Sequence, residues 1–291
     1  MDELSSHVEA LLGAPVGCAF LLAVQESGLT PTQAAHPATT FAVGAVAINE
    51  TEIWHGDRHE NEIARIMQSA QPLGGLAREI LEAPGAQWWF DPPDLERQLY
   101  IWRPGDETNA VPSAVDEPDG GSFERYGQKP KTLWTSTLID GDACVRSFID
   151  ANAGDWLDHR YPKQQWSLSA VPDARVYEIT GPGAWHSLCL RYPARVGEAA
   201  NNLRAKWPDP DRLTVDWRAA ANDWDGVHLT FGGLLTSEQV PTSTPEGWSV
   251  MWGWASEMTV WLRYAFNGST QLANHVADER HKNIEFPPLY R

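Results

Sequence analysis

The stretch from Gly253 to Tyr264 constrains this chain more than any other. Side chains two apart on a strand share a face, so Glu257, Thr259, Trp261 and Arg263 line one side. Met258, Val260, Leu262 and Tyr264 line the other. Only the second face is purely apolar, so it is expected to pack on the core. Glu257 then stands at the mouth of the strand, on the polar face and beside tryptophans. A carboxylate held rigidly and partly desolvated in such a place suits chemistry on a polar ligand.

The texture of the rest sets the fold class. Residues 1 to about 85 read as mainly helical. Thr30-Pro31-Thr32-Gln33 fits a capping box with Pro at the first helical position, and Pro37 stops that short helix. Glu60 to Gln68 and Leu73 to Leu81 carry apolar residues at helical spacing, the second run closed by Pro84-Gly85. From Gln87 aromatic and β-branched residues dominate. Gln87 to Phe90, Arg97 to Arg103, Leu133 to Leu138, Arg175 to Ile179 and Val227 to Phe231 read as strands, with a helical turn at Asp216 to Asn222. Residues 104–131 read as a Pro/Gly-rich loop, the strand at Glu257 as the last one, and residues 267–291 as a surface tail. Helices first and many short strands later predict an α+β protein: a helical region over 1–85, then a mostly antiparallel sheet domain over 86–291. Neither GxGxxG nor a Walker A sequence is present, so dinucleotide-fingerprint and P-loop folds have no support.

Composition excludes several classes. The net charge of -17 opposes a nucleic-acid groove, which depends on Lys and Arg. Cys18, Cys144 and Cys189 are scattered and show no CxxC spacing, which predicts free thiols in a reducing compartment. The apolar run from Val16 to Val24 is too short to span a bilayer and follows acidic residues, so neither a membrane span nor a signal peptide is expected. A cytoplasmic protein is the default expectation. Tryptophan is the compositional outlier, with 15 against 7 Tyr and 8 Phe, and its rings serve cores and ligand clefts alike.

Arg103 ends an aromatic-rich strand, Ser136 lies within the hydroxyl-rich Leu133-Trp134-Thr135-Ser136-Thr137, and Glu257 opens a late strand. In this order the three resemble the Arg–Ser–Glu signature of ADP-ribosyltransferases. Leu133 to Thr137 with Gly141, and the Gly-Trp-x-x-Glu-x-Thr-x-Trp-Leu segment from Gly253, are similar to pieces of actinobacterial proteins of that family. The resemblance covers roughly residues 97–266. It implies a split β-sheet and NAD as substrate, with cleavage of the nicotinamide–ribose bond through an oxocarbenium-like state. Glu257 would stabilise that charge, Arg103 would anchor the diphosphate, and Ser136, with Thr135 and Thr137 beside it, would position the ribose. Trp134 would stack on nicotinamide. The acceptor stays open, whether protein, nucleic acid, small molecule or water. Members that modify arginine carry an acidic residue two places before the catalytic Glu, where this chain has Ala255. A toxin or defence role is compatible with the family, and the helical region is expected to dock a protein partner or cover the cleft.

A rival reading belongs to another class: a non-enzymatic Trp-rich module binding a nucleotide, glycan or protein, or a degenerate transferase fold that keeps NAD without turnover. Convergence of Arg103, Ser136 and Glu257 in one cleft would favour the enzyme, and Glu257 turned to open solvent would favour the module. His55 and His59 are four apart, but Gly56 opposes a helix there and no further ligands follow, so no metal site is expected. His228, on a strand after a turn, reads as a satisfied core histidine, with a base or supporting group as the alternative. No GxSxG elbow supports a serine hydrolase.

Overall fold

A computed structural model describes residues 2–51, 59–102, 114–115, 130, 132–138, 164–195, 212–254 and 256–272. The N-terminal part is helical, as expected: α1 (Glu3–Leu12), α2 (Pro15–Glu26), α3 (Pro31–Ala35), α4 (Pro37–Thr51), α5 (His59–Ala70) and α6 (Gly74–Glu82). Local chemistry sets their ends. Asp2 caps α1 by accepting the Ser5 N–H, and Thr30 with Gln33 forms the reciprocal capping box of α3. α2 is buried continuously from Pro15 to Val24, because α1, α4 and α5 surround it. Among the described residues no single helix is long and apolar enough to cross a membrane.

Gln87 to Phe90 departs from its strand expectation and lies in a 3-10 helix, Pro84–Phe90. Three consecutive aromatic residues favour a strand locally, but Pro84 starts a helical turn, and packing decides. That turn buries Trp89 edge-on against Phe20 at 5.4 Å and a second ring, Phe231, at 5.1 Å.

The remaining described chain builds one seven-stranded sheet: β1 (Gln98–Trp102), β2 (Leu133–Thr137), β3 (Gln164–Ala170), β4 (Val176–Ile179), β7 (Gly226–Leu229), β10 (Met258–Trp261) and β11 (Phe266–Gln271). The spatial order is β11-β3-β1-β2-β10-β7-β4, and every neighbouring pair is antiparallel except β4 with β7. Helices α7 (Pro182–Arg191) and α8 (Trp217–Asp223) lie between those parallel strands in sequence, and α9 (Phe231–Ser237) follows β7. Two small hairpin-like pairs complete the fold, β5 (Pro193–Arg195) with β6 (Leu213–Val215) and β8 (Pro241–Thr244) with β9 (Gly247–Val250).

The α+β class and the mostly antiparallel sheet are therefore as expected. Two local expectations are not. β10 is not half-solvated: Thr259 and Trp261, assigned to a polar face, are wholly buried. For Trp261 the reason is β11, which occupies the start of the expected tail, pairs with β3, and brings Phe266 to 4.6 Å from the Trp261 ring. Tyr264, expected inside, lies beyond the end of β10 and is exposed. The other side of β10, with Met258, Val260 and Leu262, shares one hydrophobic cluster with the N-terminal helices, including Phe20, Ile66 and Trp89. The change from helix to sheet falls between Phe90 and Gln98, and the hydrophobic core is continuous across it.

Candidate functional site

The site forms where the sheet forks. β2 pairs with β10 through Leu133, Trp134 and Thr135, then turns its last two residues, Ser136 and Thr137, to β1. Continuing the β2–β10 register would set Thr137 opposite Glu257. The backbone ladder stops there, and the Glu257 carboxylate takes the donor: the Thr137 N–H lies 3.1 Å from Oε1 and 3.3 Å from Oε2. Ser136 acts from the other side of the strand, donating its Oγ–H to the Glu257 main-chain carbonyl at 3.0 Å. Glu257 is only 3% exposed.

A third group completes the grip on Glu257. The parallel register sets Glu178 beside His228, and the antiparallel register sets His228 beside Thr259, two residues past Glu257. All of these side chains point to the same sheet face. His228 consequently bridges two carboxylates, with Nδ1 2.6 Å from Glu178 Oε2 and Nε2 3.0 Å from Glu257 Oε1. A neutral imidazole has one donor, and two ionised carboxylates only accept, so this geometry calls for the imidazolium. Burial opposes the charge, yet the hydrogen bonds and the attraction of Glu178 and Glu257 outweigh it and push the imidazole up to about 9. With both carboxylates ionised, the three groups carry one net negative charge.

Glu257, His228 and Thr137 open onto a cavity of about 330 Å³. Its lining includes the half-buried Trp88 from the Pro84–Phe90 turn, packed on the fully buried Phe231 from the start of α9 with ring centroids 5.2 Å apart. Its rim carries Asp91 and Asp94, the latter paired with Arg97 at 2.8 Å. A larger hollow of about 440 Å³ lies at the opposite end of β10, where Asp225 already binds Arg263 at 2.7 Å.

Of the expected site residues, Glu257 and Thr137 line the cavity, and Ser136 supports Glu257 from behind. Thr135 is committed elsewhere, donating to Gln98 Oε1 at 2.6 Å and accepting from the Trp261 indole at 2.8 Å. Trp134 sits on the helix-facing side, packs on the main core and donates to the Pro130 carbonyl at 3.1 Å. The accessible aromatic surface at the cavity belongs to Trp88 instead, with the fully buried Phe231 packed against it. Arg103, Ala255 and His55 lie outside the described residues, as does the side chain of His59.

Sequence reasoning weighed His228 as a supporting group but did not connect it to Glu178 or Glu257. Both strands were legible, yet nothing local pairs residues 50 and 29 apart. Among the described residues no cluster of His, Cys, Asp and Glu could hold a metal. Cys18 and Cys189 are free and buried, and burial pushes both thiols up to about 12. In comparisons with protein-family models, curated proteins and solved structures nothing matches this chain, so the ADP-ribosyltransferase resemblance rests on the residues quoted for it.

Proposed function

We propose that this chain is an NAD-cleaving enzyme that transfers ADP-ribose to an acceptor or to water, with Glu257 as the catalytic carboxylate. The observation that carries the reading is the placement of Glu257: buried, held at the fork of the sheet, and facing a cavity that Trp88 also lines. The nicotinamide ring of NAD is flat and positively charged, which suits Trp88 beside Asp91 and Glu257. The C1′–N bond breaks with its electron pair passing to the ring nitrogen, and the Glu257 charge stabilises the oxocarbenium left behind. The acceptor then gives an electron pair to C1′ and its proton to Glu257. The diphosphate is assigned to Arg103, as the family resemblance implies.

One observation favours the rival, an NAD-retaining fold without turnover: both oxygens of Glu257 already accept the Thr137 N–H and Oε1 also faces His228. Nicotinamide release from NAD by the purified protein separates the readings. Release is expected, with Glu257→Gln lowering it by about 10²- to 10⁴-fold. NAD binding by calorimetry without release would favour the rival, and neither binding nor release would remove NAD altogether.

A further inference from the structure

Glu178 and His228 have no part in the Arg–Ser–Glu signature, yet they form a hydrogen-bonded row with Glu257. His228 is buried with only 2% of its surface exposed, between strands on both sides. Its two nitrogens are consumed by two carboxylates, one from β4 and one from the residue before β10. A buried histidine serving only as core filler needs one partner per nitrogen, and a backbone carbonyl or hydroxyl would satisfy it. His186 shows that arrangement, with Ser249 Oγ at 2.9 Å and Thr244 Oγ1 at 3.2 Å. Two carboxylates instead impose a charge, and Glu178 stays partly open to solvent while His228 does not.

We propose that Glu178 and His228 are a positioning pair for Glu257: the imidazole, fixed by Glu178, holds Oε1 and leaves Oε2 for a ligand in the cavity. Oε2 keeps a single contact among the described residues, the Thr137 N–H at 3.3 Å. The imidazole Nε2 also fixes the plane of a carboxylate that is almost wholly buried. The pair thereby favours Glu257 as charge stabiliser and proton acceptor. The other charged groups around His228 are the cavity residues Asp91, Asp94 and Arg97, and the Asp94–Arg97 pair neutralises itself at 2.8 Å. The charge on His228 is therefore governed chiefly by Glu178 and Glu257.

The kinetic part of this proposal rests on the NAD-cleaving reading, and the charge state does not. Imidazole ¹⁵N spectra of the full chain test the second. One histidine is expected to remain protonated on both nitrogens at pH 8, and in Glu178→Gln to lose that proton at least about one pH unit lower. A wild-type His228 already neutral at pH 7, or a titration unmoved by Glu178→Gln, overturns the pair. For the kinetic part, Glu178→Gln and His228→Asn are expected to lower kcat for nicotinamide release by about 10- to 100-fold with KM little changed. The alkaline limb of the Glu178→Gln profile should also move to lower pH. Variants that lose thermal stability but keep the wild-type kcat and pH profile would reduce both residues to structural roles and overturn the proposal. Should the wild type release no nicotinamide, the NAD-cleaving reading fails, and the imidazole titration still decides the charged clamp.

Discussion

At the scale of single residues, His228 links protonation to folding. Its folded-state value of about 9 lies above the ordinary imidazole value of 6.5, so its contribution is fully present below pH 6.5. It is lost as pH rises through 9, and the full effect is on the order of 3 kcal/mol. Denaturant unfolding of the wild type should therefore weaken between pH 6.5 and 9, while His228→Asn, less stable at pH 6, should show a flatter dependence across that window. An equally steep loss in the variant would mean that another group is responsible. The buried thiols Cys18 and Cys189, raised to about 12, begin to lower stability only as pH nears the ordinary thiol value of 9, so the lower part of the window reports His228. Glu257 could be singled out from sequence because it precedes a clear period-2 run. Its partner Glu178 could not, since one carboxylate on a short strand looks like any solvated charge until β7 is laid beside β4.

At the scale of elements, α9 couples the helical layer to the cavity. Thr230 caps it by accepting the Gly233 N–H at 2.9 Å, which sets where Phe231 leaves the backbone. Removing that cap in Thr230→Ala should cost about 1 kcal/mol, read as a lower denaturation midpoint with an unchanged m-value. Gly233→Ala should cost more, about 1–3 kcal/mol, because an added Cβ would run into the Ile179 carbonyl oxygen at the end of β4. If the alanine were tolerated as well as glycine, α9 would not be pressed against β4 as described. The capping box at Thr30, the helices α5 and α6, and strands β1, β2, β4 and β7 were legible because caps, prolines and periodicity act within a few residues. β11 was not: its Asn267-Gly268-Ser269 is polar and loop-like, and it becomes a strand only by pairing along β3.

For the whole molecule, the continuous core across the helices and the sheet has a consequence for stability. Trp89 is fully buried, with its ring edge-on to Phe20 of α2 and to Phe231 of α9. Trp89→Ala should cost about 3–5 kcal/mol and lower the unfolding of both parts together in one transition. Two separated transitions, with only the helical part weakened, would show that residues 1–85 fold independently.

Some of this protein was determined by sequence alone. The helical beginning, the β-rich remainder, the α+β class and the position of Glu257 before a strand all follow from capping residues, prolines and hydrophobic period. These signals are local, so a linear reading suffices for them. Other features were decided only by tertiary structure. β10 became central because β2 and β7 pair on either side of it, and Trp261 was covered when β11 returned along β3 and brought Phe266 onto its ring. The aromatic lining of the cavity came from Trp88, packed on Phe231, and not from Trp134, because alternation on β2 turned that ring toward the helices. The Glu178–His228–Glu257 row exists because strand register aligns residues far apart in the chain. Register is a property of paired strands, and no single strand carries it.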